Sequence, residues 1–225
     1  MKRYRLMLIA CASGMCFLSG CTTLEKLQGY DTLEAENAKL RHRLEQLSRE
    51  KQAELEQVTE EKQGELSELE KAKAELEESL KKEIGEYKAK LEMTQRGLVI
   101  TFLSEVFFNS GKDAILSDGE NALQKVAEVL NTHAPHSLVA IEGHTDNEPI
   151  KYSGWKSNWE LSSARALSVL HYLIAQCNIS PKRLSANGYG EYRPVAENDS
   201  PQNRQKNRRV EIVILPSKVS RVKGE

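Results

Sequence analysis

The chain has 225 residues and carries 32 Lys and Arg against 33 Asp and Glu, which gives a formal net charge of −1 at pH 7. That balance lacks the basic excess needed to neutralise a phosphate backbone, so nucleic-acid binding is not expected. The length allows one or two domains. Composition changes near residue 97, from a segment rich in Glu, Lys and Leu to one with the glycine and apolar content of a globular domain.

Residues 1–20 are predicted to be an export signal. Basic residues near the start precede an apolar run, Leu6–Leu18, which as a helix is too short for a bilayer core of about 30 Å. The run leads into Leu-Ser-Gly-Cys, which resembles the lipobox of bacterial lipoproteins, where the signal is removed and the cysteine receives a diacylglyceryl group. Cys21 is therefore the predicted lipidation site, and residues 21–32 are the predicted linker.

The same resemblance implies a location in the cell. In enterobacterial lipoproteins an aspartate directly after the lipidated cysteine is the usual signal for retention in the inner membrane. Thr22 stands at that position here. We therefore expect a lipid anchor in the outer membrane, with the rest of the chain facing the periplasm.

Residues 33–95 are predicted to form a helical stalk. Two apolar rows step through this segment at intervals of eleven residues; they are Leu33, Leu44, Leu55 and Leu66, and Leu47, Val58, Leu69, Leu80 and Leu91. Eleven residues over three turns is 3.67 per turn, so each row stays on one side of a nearly straight helix of roughly 95 Å. The rows favour a coiled coil that forms a homo-oligomer. The alternative is a lone helix kept in solution by pairs of opposite charge.

Residues 97–216 are predicted to form a globular domain, and residues 217–225 a basic flexible tail. Period-two or continuous apolar runs predict strands; they are Leu98–Phe102, Val106–Phe108, Leu138–Ile141, Pro181–Ala186 and Arg209–Leu215. Apolar residues at helical spacing predict one helix through Leu130 and a second over Asn158–Cys177. Strands that alternate with helices predict an α/β sandwich, in which a small mixed sheet has helices packed on one face.

Four ordered motifs in this domain carry a family resemblance; they are Gly143-His-Thr-Asp146, Asn158-Trp-Glu-Leu-Ser-Ser-Ala-Arg-Ala166, Gly188-Tyr-Gly-Glu191 and Asn207-Arg-Arg-Val-Glu211. The segment resembles the OmpA-like C-terminal domain family over roughly residues 98–215. The resemblance implies a βαβαββ order and a domain that binds the peptide stem of peptidoglycan, usually at meso-diaminopimelate. It implies no enzyme, cofactor or metal.

The ligand chemistry can be matched to residues. Diaminopimelate presents a carboxylate and an ammonium on one carbon, so binding it takes a fixed cation and a fixed anion. Arg165 offers a planar fork for a carboxylate, and Asp146, at a strand end, can accept from an ammonium. The resemblance makes these two the ligand pair, with Asn158, Leu161 and the turn formed by Asn109, Ser110 and Gly111 lining the pocket. The alternative is a surface ion pair between the two charged residues.

The sequence is compatible with three classes of function. The favoured one is a lipid-anchored protein that tethers the outer membrane to peptidoglycan. The second is a scaffold whose stalk recruits another envelope protein. A hydrolase is not favoured, because no nucleophile elbow precedes Ser162. The loop after Asp146 resembles the motility-protein branch of the family. Trp155 and Trp159 are predicted to pack in the core, with stacking on a sugar as the alternative.

Overall fold

A computed structural model describes the backbone of residues 3–86, 88–151 and 153–216, and the side chains from residue 30 onward. The side chain of Cys21, those of the predicted signal peptide and the predicted tail, residues 217–225, lie outside the described residues. The chain divides into two compact units, residues 1–61 and 62–225. Within the described ranges, no helix is long and apolar enough to cross a membrane.

The globular unit is built on one mixed sheet. The elements in chain order are α1 (Arg3–Ser79), α2 (Lys81–Gly85), β1 (Ala89–Thr94), β2 (Gly97–Leu103), α3 (Ser104–Phe107), α4 (Ser117–Thr132), β3 (Val139–His144), α5 (Asn158–Ala175), β4 (Leu184–Gly188), α6 (Pro201–Asn207) and β5 (Arg209–Ile214). The strand order is β1-β2-β5-β3-β4. β3 and β4 run parallel and the other neighbours antiparallel. The parallel pair needs a crossover connection, and α5 supplies it.

One face of the sheet carries the main core. Alternate residues of β2, β3 and β5 are buried together with the inner faces of α4 and α5; they include Ile100, Phe102, Ile141, Ile212, Leu123, Val126, Leu130, Val169 and Leu173. On the opposite face, the apolar cluster among the described residues is small and consists of Val99, Ala140 and Val213. The predicted α/β fold class, with a mixed sheet and helices on one face, is confirmed.

The predicted stalk is too long at its C-terminal end. α1 ends at Ser79, and its last turns belong to the globular unit because Leu69, Ala72, Leu76 and Leu80 are buried in the core. These positions are three or four residues apart and therefore lie on one helix face. One apolar row of the eleven-residue repeat therefore ends in leucines that pack in the core of the same chain.

Residues 89–94 form the edge strand β1, where helix was predicted. Ala89, Leu91 and Met93 point toward the core, and the residues between them point outward. A tight turn joins β1 to β2, since Thr94 pairs with Gly97 and the Arg96 N–H donates to the Thr94 hydroxyl at 3.1 Å. Period-two burial therefore replaces the eleven-residue repeat at this point, and the sheet begins eight residues before the predicted boundary at residue 97.

Two further predictions near the site need correction. Residues 106 and 107 belong to the short helix α3, whereas Val106–Phe108 was predicted to be a strand. Phe108 alone is extended there and forms an isolated bridge with Ile115. α6 was not predicted. It begins at Pro201, where Ser200 accepts from the Asn203 N–H as an N-cap.

Candidate functional site

A cavity of about 570 Å³ opens where β3 ends, beside the N-terminus of α5. Its lining residues are Ser104, Glu105, Phe108, Ser110, Gly111, Lys112, Thr145, Asp146, Glu148, Pro149, Ile150, Lys151, Ser153, Asn158, Leu161, Arg165 and Arg208. Every residue that the sequence predicts for the ligand site is among them except Asn109, which contributes its carbonyl to the wall as described below. The motifs that are distant in sequence therefore converge on one cavity.

The close packing of β3 on α5 brings the first two motifs together. Gly143 lies directly under α5, and a Cβ added there would stand 2.1 Å from the Ser162 carbonyl oxygen. Only glycine permits that approach. After β3 the Thr145 N–H donates to the Gly190 carbonyl at 2.9 Å, which ties the strand end to the loop after β4. Asp146 is thereby placed beside the first turns of α5.

Asp146 is a buried carboxylate with protein partners on both oxygens. Only 5% of the residue is exposed. Arg208 donates from Nη1 to Oδ2 at 2.5 Å, and the Glu148 N–H donates to Oδ1 at 3.2 Å. Burial of a carboxylate is costly unless it is paired, and the Arg208 guanidinium meets that requirement here. Sequence reasoning did not assign Arg208 to the site.

Arg165 is held by backbone carbonyls, and no carboxylate of the described residues forms an ion pair with it. It is 4% exposed, and it donates to the carbonyls of Lys112 at 3.0 Å and Asn109 at 3.2 Å. Its guanidinium also lies 5.1 Å from the centroid of the Phe108 ring. Desolvation, and next the nearby Arg208, lower the pKa of Arg165 to about 10, so the group stays cationic at neutral pH.

Asp146 and Arg165 do not pair directly with each other. Among the described residues, no ion pair within 4.0 Å joins Asp146 to Arg165. Both groups are buried, so the alternative of a surface ion pair is wrong. Within the described residues, the cavity contains a carboxylate paired to one guanidinium and a second guanidinium whose hydrogen-bond partners are neutral carbonyls.

Asn158 fixes the loop that follows Asp146. Its amide Nδ2 donates toward the carbonyls of Asp146 at 3.3 Å and Glu148 at 3.1 Å, and toward Glu191 Oε2 at 2.7 Å. Leu161, three residues further along α5, is 5% exposed and supplies an apolar part of the cavity wall. The helix starts at Asn158 with Ser157 as its N-cap, so partial positive charge faces this end of the cavity.

The turn at residues 109–111 forms the opposite wall. Ser110 and Gly111 line the cavity, and Asn109 takes part through the carbonyl that accepts from Arg165. Gly111 has φ +67°, and a Cβ there would meet the Ser153 Cβ at 2.6 Å. The Trp155 indole N–H donates to the Gly111 carbonyl at 3.0 Å and holds the turn against the loop.

A second polar cluster lies on the helix-free face of the sheet. Glu142 and Glu211 are paired across β3 and β5. With His144 they bring possible metal-ligand atoms within 4.8 Å of one another. Each carboxylate, however, is already ion-paired, Glu142 with Arg96 at 2.7 Å and Glu211 with Arg209 at 2.6 Å. The two guanidinium groups balance the carboxylates and would repel a divalent cation, so the donor set does not favour a metal.

His144 in this cluster is a buried neutral imidazole. It is 2% exposed, and neither ring nitrogen has a hydrogen-bond partner within the described part of the chain. Desolvation is the main cause that lowers its pKa to about 3, followed by the charges of Arg209, Arg193 and Arg96. The group therefore contributes no charge at neutral pH.

The fold and the cavity define a class of small α/β domains with a charged pocket at the end of a central strand. A model of the OmpA family matches residues 107–208. Motility protein B of Bacillus subtilis strain 168 is 41% identical over 144 residues, which cover 64% of this chain and 55% of that protein. Outer membrane protein Omp38 of Acinetobacter baumannii is 38% identical over 113 residues, 50% of this chain and 30% of that protein.

Solved structures agree with the sequence matches. The cell wall anchor of the T6SS from Pseudomonas aeruginosa is 31% identical with a TM-score of 0.57, over 63% of this chain and 96% of that one. The periplasmic domain of Helicobacter pylori MotB is 33% identical with a TM-score of 0.54, over 58% of this chain and 83% of that one. The chain belongs to the OmpA family. It spans about half the length of the curated relatives that it matches, 55%, 51% and 48% in three of them.

Proposed function

We propose that this protein binds peptidoglycan non-covalently through the cavity and anchors its membrane-attached end to the cell wall. The observation that carries the proposal is a buried carboxylate, Asp146, that lines the same cavity as a buried guanidinium, Arg165, and a partly exposed one, Arg208. A zwitterionic amino-acid head needs cations for its carboxylate and an anion for its ammonium. The wall-anchor and motility proteins that this chain resembles support the same proposal.

The ligand we propose is the diaminopimelate of the stem peptide. Its free carboxylate binds to the guanidinium of Arg165 at the positive end of α5. Its ammonium donates to Asp146, which exchanges part of its contact with Arg208 for the new partner. Asn158 positions the loop, and Leu161 with the 109–111 turn contacts the aliphatic part of the side chain.

The binding test uses isolated wall and single substitutions in the cavity. Asp146→Asn and Arg165→Ala should each reduce co-sedimentation with diaminopimelate-type sacculi by tenfold or more, about 1.4 kcal/mol. Asp118→Ala and Arg49→Ala change the same residue types at exposed positions outside the cavity and should bind as the unaltered protein does. Thermal unfolding of each variant separates lost binding from lost folding.

The chemistry of the ligand is tested by changing the wall. Sacculi that carry lysine in place of diaminopimelate lack the additional carboxylate, so the unaltered protein should bind them less tightly. Arg165→Ala should then bind both walls equally poorly. Equal binding of the unaltered protein to both walls would refute the zwitterion as ligand, and full binding by both cavity variants would refute the cavity as the site.

The membrane attachment is proposed from the lipobox-like sequence. We propose that Cys21 is acylated and that the acyl chains anchor the protein in the outer membrane, facing the periplasm. Cys21→Ser should move the protein from the membrane fraction to the soluble fraction, with loss of metabolic palmitate labelling. Separation of inner and outer membranes on a density gradient tests the sorting inference from Thr22.

The exposed apolar row of α1 favours a second activity for the N-terminal part. Leucines at repeat positions are exposed there, among them Leu44 at 66% and Leu55 at 61%. We propose that this row binds a second copy of the chain, so that the protein is a homo-oligomer. The alternative is that the same row recruits a different envelope protein. Wall binding would then serve only to position that protein.

A further inference from the structure

An exposed pair of stacked aromatic rings lies next to the cavity. Trp159 is 47% exposed and Tyr192 63% exposed. Their ring centroids are 5.1 Å apart, and the ring planes differ by 22°. Both rings thus present part of their apolar surface to solvent beside a polar cavity. The predicted packing of Trp159 in the core is therefore wrong.

The two rings are connected to the cavity through the residues that precede them in the sequence. Asn158 precedes Trp159, and Glu191 precedes Tyr192. These two neighbours are joined by the hydrogen bond of 2.7 Å between the Asn158 amide and Glu191 Oε2. Asn158 lines the cavity, so Trp159 is one residue in sequence from the cavity wall, and Tyr192 is linked to the wall through the bond between Glu191 and Asn158.

The loop that carries Tyr192 is fixed to the same elements as the cavity. The Gly190 N–H donates to the Ser162 hydroxyl at 2.9 Å, and the Tyr192 N–H donates to the Tyr189 carbonyl at 3.3 Å. Trp159 is held by its place in the first turn of α5. The two rings therefore keep a defined position relative to the cavity without a bound partner.

We infer that Trp159 and Tyr192 form a docking surface for the sugar rings of the glycan strand. The inference rests on the proposed function, because a stem peptide bound in the cavity is covalently attached to an amino sugar. Diaminopimelate is the third residue of the stem, so about three extended residues, roughly 11 Å, separate its backbone from the sugar, and its side chain adds to that span. The axial C–H groups of a sugar ring present a flat apolar face, which packs on an aromatic ring, and the tryptophan and tyrosine edges supply N–H and O–H donors.

The alternative occupants fit less well. A protein partner needs a larger contiguous apolar patch than two rings provide. One exposed aromatic ring face beside a polar cavity is about the size needed to contact one sugar unit. Binding of the sugar would add contact area to a ligand that the cavity already holds in place, so its entropic cost is low.

The test compares two soluble ligands that differ only in the sugar. One is the disaccharide tetrapeptide that contains diaminopimelate, and the other is the same tetrapeptide without sugar. Trp159→Ala and Tyr192→Ala should each weaken binding of the disaccharide tetrapeptide by about two- to tenfold. Both variants should bind the free tetrapeptide within about twofold of the unaltered protein, because neither side chain lines the cavity.

Val195→Ala is the matched control, since Val195 is 60% exposed on the same connection but outside the ring pair. Trp159→Phe should keep most of the sugar-dependent gain, which separates loss of the ring from a folding defect. Equal losses for both ligands, or no loss for either, would overturn the inference and leave the cavity proposal intact. An unaltered protein that binds neither ligand would overturn the proposed function and this inference with it.

Discussion

His144 makes the stability of the domain depend on pH. Its pKa is about 3 in the folded protein, against 6.5 for an unperturbed imidazole, because the ring is desolvated and faces arginine side chains. Below pH 6.5 the unfolded chain binds a proton that the folded chain does not. The free energy of unfolding should therefore fall as pH drops from 6.5 toward 3, by up to about 1.4 kcal/mol per pH unit from this group.

The prediction is tested by urea denaturation at several pH values. His144→Gln removes the titrating group, so the difference in unfolding free energy between it and the unaltered protein should change with pH across this range. The carboxylates titrate in both proteins and cancel in that difference. A difference that stays constant from pH 7 to pH 4 would contradict the assignment.

The residues of the cavity were predictable to different degrees. The family resemblance predicts Asp146, Asn158, Leu161 and Arg165 for the pocket, and the strand end at Asp146 and the helical spacing of Asn158 and Arg165 agree with it. Arg208 stands in the fourth motif but receives no role from the sequence. It lies 62 residues from Asp146, and the sequence of the motif does not show which of its two arginines reaches the cavity. Only the antiparallel pairing of β5 with β3 brings it to the cavity.

At the scale of elements, the leucines of α1 lie in two different environments, the core and the solvent-exposed surface. Leu76 is fully buried in the core, whereas Leu55 is 61% exposed. Leu76→Ala should reduce the free energy of unfolding by about 2–5 kcal/mol, because it leaves a cavity. Leu167→Ala, at a leucine of α5 that is 45% exposed and outside the apolar row, is the matched control and should change it by less than about 0.5 kcal/mol.

The measurement is urea denaturation followed by tryptophan fluorescence. Both tryptophans of the chain, Trp155 and Trp159, belong to the globular unit and therefore report its unfolding. Equal effects of the two substitutions would show that the C-terminal turns of α1 are not part of the core.

The end of the stalk was hard to predict for a physical reason. Leu69, Leu80 and Leu91 continue the eleven-residue row, so the sequence pattern has no break where α1 ends. Leu91 also fits a period-two pattern with Ala89 and Met93, and the two periods coincide over a short segment. The tertiary pairing of β1 with β2 decides between them. The prediction of the α/β class rested on patterns that extend over whole strands and helices, and it was correct.

At the scale of the whole molecule, the proposed oligomer is directly measurable. Protein lacking residues 1–21 should sediment as a dimer or trimer at micromolar concentration. Leu44→Gln combined with Leu55→Gln places amides in the apolar row and should shift it to monomer. Glu45→Gln combined with Glu56→Gln alters adjacent exposed positions at the same spacing and should leave the mass unchanged. A monomeric unaltered protein would favour the lone-helix alternative.

The burial of Leu69, Leu76 and Leu80 sets the shortest fragment that can be prepared for biochemical work. A fragment that starts at Gly97 would lose these leucines together with β1. It would expose apolar core and leave β2 as an unpaired edge open to association with other chains. A fragment that starts at Lys62 keeps every element of the globular unit. Ligand-binding studies with the isolated domain should therefore use the longer boundary.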